Sequence, residues 1–219
     1  MSLVGVLGCD GGRDAAPRQT PAEVVVGNGF TRFRGGVGGT PWVDFGGTPY
    51  CRYRVTMRDV VVDLLARRPI DGPADIVDLR VTSEMAEGLA EPCEGIVPAA
   101  PQPHGYTHRR GDVVTRADDG ALELRPAGHA RNGPPARLAV RLRPAAEGVV
   151  TALRWHRTDQ APPLDWDVVA ELTLTPASCR PDAALCVGTW LLRCEADGVA
   201  MHGIVRCPSG CVASGDTCL

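Results

Sequence analysis

Hydrophobic and polar residues alternate with a period of two along four stretches of the chain, which places one set of side chains on each face of a β-strand. The four stretches are residues 51–58, 77–82, 137–142 and 166–175. Strands that are apolar on one side only are typical of antiparallel sheets that pack one face on a core and leave the other in water. The pattern therefore predicts a mainly β, antiparallel fold.

Shorter apolar runs predict further strands at residues 23–26, 42–45, 60–65, 112–115, 121–124 and 149–155. Turn sequences such as Asp119-Gly120 and Ala161-Pro162-Pro163 separate them. Only residues 83–89 are predicted to be helical. Many short strands with Gly and Pro turns favour an antiparallel β-sandwich over residues 22–176, with a barrel as the second choice.

Arginines occupy the polar side of two predicted strands. Each ladder has three members on one face of its strand, Arg52, Arg54 and Arg58 in the first and Arg137, Arg141 and Arg143 in the second. If the two strands are neighbours, the guanidinium groups form a patch suited to the carboxylates or phosphates of polysaccharides or lipid head groups. The alternative is pairing across strands with Asp78, Asp167, Glu171 or Glu123.

The charged residues exclude several functions. All 23 basic residues are Arg, and the formal net charge is -3. Without Lys the chain has no P-loop lysine, Schiff-base lysine or lysine general base, and Arg cannot replace the last two because it does not lose its proton near neutral pH. A chain with a small negative net charge has no overall positive electrostatic potential that would attract nucleic acid. We therefore expect neither a nucleic-acid partner nor a cofactor.

Cysteine is abundant, with nine residues in the chain. Such density is typical of proteins in oxidising compartments. Zinc is the alternative, but zinc sites use closely paired ligands such as Cys-x-x-Cys, and the closest pair here, Cys207 and Cys211, is spaced more widely. We therefore predict disulfides and no metal site. Cys51 and Cys93 are expected to pair, closing a loop worth ~3–4 kcal/mol on the chain-entropy model.

Residues 177–219 are predicted to form a small disulfide-rich module. Residues 189–194 and 199–207 can form two strands joined by a turn at Asp197-Gly198. A unit of this size buries too little surface to fold without cross-links. The sequence does not choose among the many pairings of its six cysteines, Cys179, Cys186, Cys194, Cys207, Cys211 and Cys218.

The cysteines of this module fall in a specific pattern. It reads Cys179-x-Pro181, Cys186-x-Gly188, Cys194-x-x-Asp197-Gly198 and Cys207-Pro208-x-Gly210-Cys211. The pattern resembles the short Cys-rich repeat at the ends of many predicted secreted proteins and lipoproteins of myxobacteria, with Leu185 and the spacing from Cys211 to Cys218 as departures. The resemblance implies export and disulfide bonds. It implies no activity, because the family has no established one.

The first residues form a short apolar stretch that ends in a cysteine. Val6-Leu7-Gly8-Cys9 resembles a bacterial lipobox, in which the Cys is lipidated. The rest of residues 1–21 is rich in Gly, Ala and Pro and is typical of a flexible tether. The resemblance implies a lipid anchor on Cys9 as the membrane attachment, because no apolar run approaches the ~20 residues of a spanning helix. The alternative is an ordinary N-terminal segment with an incidental Cys.

Candidate catalytic residues are few. His104 and His108 have the i, i+4 spacing of a zinc-binding helix, but the surrounding Pro and Gly disfavour a helix, and we expect a loop with two solvated histidines. The Gly-rich run at residues 35–39 could cradle a phosphate, yet neither a helical pattern nor a Lys follows it, and a bulged strand connection is the better interpretation. Neither a G-x-S-x-G nor an S-x-x-K motif is present.

Taken together, these patterns favour a non-catalytic binding protein that is secreted or lipid-anchored in the cell envelope. Its expected ligand is an anionic polysaccharide, an envelope component or a surface protein. One alternative is an exported hydrolase with two facing carboxylates. Another is a structural envelope protein with an apolar surface for assembly.

Overall fold

A computed structural model describes residues 27–48, 51–91, 97–107, 112–125, 137–157, 166–187, 189–212 and 217–219. These residues form antiparallel β-strands joined by turns and one 3-10 turn at Pro73–Asp75. The strands are β1 (Gly27–Gly39), β2 (Val43–Thr48), β3 (Cys51–Arg67), β4 (Ile76–Leu89), β5 (Gln102–Thr107), β6 (Val113–Arg116), β7 (Leu122–Arg125), β8 (Arg137–Ala145), β9 (Gly148–Arg157), β10 (Trp166–Pro176), β11 (Ala184–Val187), β12 (Trp190–Cys194) and β13 (Ala200–Arg206). The prediction of a mainly β, antiparallel fold is confirmed.

One curled sheet contains these strands, and its two halves pack face to face as a sandwich. The first half is centred on β3, which pairs with β4 along one edge and with β2 and then β1 along the other. The second half runs from β10 through β9, β8 and β7 to β6. Strand β1 joins the halves, because Phe33 and Arg34 pair with Pro176 and Thr175 of β10.

The main core lies between the two halves. Apolar side chains of β3 and β4 meet those of β8, β9 and β10 in a single buried cluster. Trp155 of β9 is fully buried there, and the Phe45 ring of β2 lies 6.4 Å, centroid to centroid, from the Trp166 ring of β10. Removal of this apolar surface from water, at roughly 25 cal/mol per Å², is the principal force that holds the halves together.

A bulge at Asp59 changes which face of β3 each side chain takes. The register with β4 shifts at this point, and Asp59 has a positive φ of 49°. Odd-numbered residues such as Met57 face the core before the bulge, and even-numbered residues such as Val62 face it afterwards. An extra residue in one strand has this effect. The predicted strands at 51–58 and 60–65 are therefore one strand.

The helix predicted at residues 83–89 is wrong, because these residues form the end of β4. Met85 pairs with Met57 of β3 on one side and with Gln102 of β5 on the other. Ser83 also donates a hydrogen bond of 2.8 Å to the His104 carbonyl oxygen. Strand pairing on both edges outweighs the helix propensity of the Glu, Met, Ala and Leu residues in this stretch.

The C-terminal strands β11, β12 and β13 extend the sheet beyond β1. Strand β13 pairs with β1 from Gly27↔Gly203 to Thr31↔Ala200. Their own core contains Phe30, Leu65, Val187, Leu192 and Met201. The prediction that disulfides hold this region is confirmed, and the bonds are Cys179–Cys194, Cys186–Cys211 and Cys207–Cys218.

Candidate binding surface around Trp42

The two predicted arginine ladders lie in different halves of the sheet. Among the described strands β3 has β1, β2 and β4 as neighbours, whereas β8 has β7 and β9. The structure therefore does not bring the two ladders together into one patch. Each ladder therefore has its own set of neighbouring strands.

One arginine of the β8 ladder, Arg141, pairs with an acidic residue outside the expected set of Asp78, Asp167, Glu171 and Glu123. Arg141 forms an ion pair of 2.7 Å with Asp119 and lies opposite Glu123 of β7. The hydrogen bond from Arg141, followed by that from the Ala121 N–H, holds the pKa of Asp119 below its ordinary value. Arg143 is exposed, and the side chain of Arg137 lies outside the described part of the chain.

Two arginines of the β3 ladder lie beside a tryptophan that precedes β2, whereas the third, Arg52, is exposed on the same strand. The guanidinium carbons of Arg54 and Arg58 lie 4.6 Å and 5.7 Å from the centroid of the Trp42 ring. Trp42 is 38% exposed, and it is the one exposed aromatic ring among the described residues. Stacking of a guanidinium on an indole is a cation–π interaction worth ~0.5–1 kcal/mol at an exposed site. Trp42, Arg54 and Arg58 together form a stacked group on the outer face of the sheet, which we call the Trp42 surface.

Local hydrogen bonds hold the segment that leads to Trp42. The Thr56 hydroxyl donates to the Thr40 carbonyl oxygen at 2.7 Å, and the Met57 N–H donates to the Thr40 hydroxyl at 3.0 Å. The Thr40 N–H in turn donates to the Met57 carbonyl oxygen at 2.8 Å. These bonds fix the connection between β1 and β2 against β3 two residues before Trp42.

The strands beneath the Trp42 surface present small residues in the row between the two arginines. Thr56 pairs with Ala86 of β4, and both are 3% exposed although they lie on the solvent side of the sheet. In the next row Arg54 pairs with Gly88. Only small side chains leave room for a large ring above a sheet, so the Trp42 ring can lie over this part of β4.

The stacked guanidinium groups keep hydrogen-bond donors for a ligand. Stacking uses the flat face of a guanidinium, and its N–H groups point outward in the plane. Asp44 and Glu84 stand opposite Arg54 and Arg58 in the strand register, yet in the described part of the chain no ion pair within 4.0 Å joins these acids to these arginines. The surface is therefore suited to a carboxylate, sulfate or phosphate group.

The histidine and glycine candidates are placed differently from expectation. His104 is 4% exposed on β5, so the predicted solvated loop is wrong at this residue, and His108 lies outside the described residues. The glycine run at residues 35–39 belongs to β1. A Cβ on Gly35 would lie 2.7 Å from the Thr173 carbonyl oxygen, which shows that this glycine permits the close crossing of β1 and β10. Among the residues described, no group of three or more potential metal ligands occurs.

The cysteines place the chain in an oxidising compartment outside the cytoplasm, because three disulfides are formed in the C-terminal region. Cys51 is also disulfide-bonded. Cys93 and Cys9 lie outside the described residues, so the Cys51–Cys93 pairing and the lipidation of Cys9 stay predictions. The described residues contain no helix with the length and hydropathy needed to span a bilayer.

Comparisons with known proteins identify no relative of this chain. No family model, no curated protein and no solved structure matches the chain.

Proposed function

We propose that this chain is a non-catalytic binding protein of the cell envelope or the extracellular space, and that the Trp42 surface binds an anionic polysaccharide. The observation that carries the proposal is the stacking of Arg54 and Arg58 on the exposed Trp42 ring. The predicted attachment to a membrane is a lipid on Cys9, without a spanning segment.

The chemistry of an acidic sugar matches this surface. A uronic acid carries a planar carboxylate, which a guanidinium binds through two parallel hydrogen bonds. The C–H faces of its ring are apolar and pack against the exposed part of an indole. Asp44 and Glu84 nearby keep the surface from being strongly positive, which favours recognition of individual carboxylates over general adhesion to polyanions.

The residues of the surface favour binding over catalysis. Guanidinium groups stay protonated near neutral pH, so they do not act as general acids or bases. They hold an anion in place and leave it unchanged. Export is supported by the three disulfides and by the resemblance of residues 179–219 to the Cys-rich repeat of secreted proteins and lipoproteins.

Calorimetric titration with polygalacturonate, a uronic acid polymer, and with neutral dextran tests the proposal. We expect polygalacturonate to bind and dextran to fail. Arg54→Gln should weaken binding at least about tenfold, because a hydrogen bond to a charged group is worth ~1.5–3 kcal/mol. Trp42→Ala should also weaken binding, because it removes the ring face on which the sugar packs. Arg143→Gln, which removes an exposed arginine of β8, is the matched control and should leave the affinity unchanged.

Equal binding of both polymers would overturn the assignment of an anionic ligand. Unchanged affinity of Trp42→Ala and Arg54→Gln would overturn the assignment of the surface. Raised salt should also weaken binding, since the contact is electrostatic and partly exposed.

A further inference from the structure

A pocket of about 410 Å³ opens at one end of the sandwich, away from the residues of the Trp42 surface. It lies between the connection from β3 to β4 and the turn from β8 to β9. Its walls are formed by Phe33, Arg68, Pro69, Ile70, Pro144 and Ala145. The volume falls within the range of roughly 300–1,000 Å³ that is typical of small-molecule sites.

The side chains that line this pocket are apolar except at one residue, and its lining surface as a whole is mixed polar and apolar. Phe33 belongs to the main core and is 1% exposed, and Ile70 packs partly buried against the same core. Arg68 supplies the single charge, with its guanidinium carbon 5.7 Å from the centroid of the Phe33 ring. Such a combination of apolar walls and one placed charge orients a ligand that has a matching charge at one end.

The position of Arg68 is fixed by its own backbone. The Arg68 N–H donates a hydrogen bond of 2.9 Å to the Gly29 carbonyl oxygen of β1. In the part of the chain that the structure describes, no carboxylate forms an ion pair with Arg68. Because the guanidinium lies over Phe33, its in-plane N–H groups remain available for a planar oxyanion.

We propose that this pocket binds a small monocarboxylate with an apolar body, such as a medium-chain fatty acid. The apolar body packs against Pro69, Ile70 and Pro144, and the carboxylate accepts hydrogen bonds from Arg68. This site is independent of the proposed polysaccharide surface, since it uses other residues and another class of ligand.

Saturation-transfer NMR and calorimetry with octanoate test the proposal, with octanol as the uncharged analogue. We expect octanoate to bind the wild-type chain at least about tenfold more tightly than octanol, because only the carboxylate forms charge-assisted hydrogen bonds with Arg68. Arg68→Gln should abolish this difference. Arg67→Gln is the matched control, since Arg67 precedes Arg68 in the chain but stacks on Phe30 in the other core, 5.3 Å from the ring centroid. It should leave the difference intact.

Ala145→Phe tests the location of the site by filling the pocket from its rim. This variant should lose octanoate binding while its thermal unfolding midpoint and its binding of polygalacturonate stay close to wild type. Failure of octanoate to bind, equal binding of octanoate and octanol, or wild-type binding by Arg68→Gln or Ala145→Phe would each overturn the proposal.

Discussion

The indole of Trp42 rests directly on Gly88 of β4. A Cβ on Gly88 would lie 3.2 Å from Cη2 of that ring and 3.4 Å from Arg54 Nε. Contacts this short force a neighbour to move. The stacking of Trp42 with Arg54 therefore depends on the absence of a side chain at one position of the neighbouring strand.

Gly88→Val should displace Trp42 from Arg54 without unfolding the sheet. Residue 88 faces outward, and Val is favoured in strands, so we expect the free energy of unfolding to change by less than ~1 kcal/mol. Acrylamide should quench the tryptophan fluorescence of the variant more strongly, because Trp42 becomes more exposed while the buried Trp155 and Trp166 and the half-buried Trp190 do not change. Binding of polygalacturonate should weaken together with this change.

Gly38→Val is the control for Gly88→Val. Gly38 is an exposed glycine of β1, and a Cβ there meets nothing within 4 Å. Its quenching should equal that of the wild-type chain. If Gly88→Val behaves like Gly38→Val, the Trp42 ring does not rest on Gly88.

Local sequence patterns predicted the strands because alternation is a property of single strands. The same patterns did not reveal the bulge at Asp59, which reverses the parity of β3 without any local signal beyond a break in alternation. They also failed at residues 83–89, where pairing with β3 and β5 decides the conformation and not the propensity of the residues. Contacts between distant strands are the information that a single sequence lacks.

The candidate site was predictable in part for the same reason. Arg54 and Arg58 were recognised because they share one face of a predicted strand. Trp42 was missed because the short apolar run at residues 42–45 does not show which of its side chains is exposed, and Trp42 meets the arginines only through the pairing of β2 with β3. The separation of the β8 ladder from the β3 ladder likewise follows from strand order, which alternation does not encode.

Thr151→Val should stabilise the chain. Thr151 of β9 is fully buried, and its hydroxyl has no hydrogen-bond partner among the residues that the structure describes. Valine has nearly the same shape and lacks the hydroxyl, so the substitution removes the cost of burying an unpaired polar group, which is ~1–3 kcal/mol. We expect urea unfolding to show a higher midpoint with an unchanged slope, equivalent to a gain of ~1 kcal/mol.

Thr173→Val provides the comparison for Thr151→Val, since Thr173 is an exposed residue of β10. Its effect should stay within about 0.5 kcal/mol. A lower midpoint for Thr151→Val would show that the hydroxyl is satisfied in solution.

The Cys186–Cys211 disulfide should stabilise the C-terminal strands more than the main core. It joins β11 to a residue 25 positions further along the chain, and Cys211 packs with Leu191 of β12. Replacement of both cysteines by Ala should cost about 3–4 kcal/mol on the chain-entropy model. Hydrogen exchange should accelerate in β11 and β12 but not in the centre of β3, whose pairing with β4 does not depend on the bond.

The matched variant replaces Cys207 and Cys218, which close a shorter loop of 11 residues. It should lose slightly less stability, because the entropy of loop closure rises slowly with loop length. Global acceleration of exchange in the Cys186–Cys211 variant would show instead that the C-terminal strands unfold together with the sandwich.

Asp197 should make the β12–β13 turn sensitive to acid. Its carboxylate accepts hydrogen bonds from the Val199 N–H at 2.9 Å and the Ala200 N–H at 2.8 Å, and these bonds lower the pKa of Asp197 from its ordinary value. Since the pKa is lower in the folded chain, the carboxylate stabilises the fold above the unfolded-state value of about 3.9. That contribution disappears as the pH falls through the folded-state value.

Asp197→Asn isolates the charge, because Asn keeps an acceptor oxygen for the turn but does not titrate in this range. We expect thermal unfolding midpoints between about pH 2 and pH 6 to fall less steeply with acid in Asp197→Asn than in the wild-type chain. Asp118→Asn removes an exposed carboxyl from the turn between β6 and β7, and it should leave the slope unchanged because no described hydrogen bond reaches that carboxyl. Equal slopes in Asp197→Asn and the wild-type chain would contradict the lowered pKa, which NMR titration of the Asp197 carboxyl measures directly.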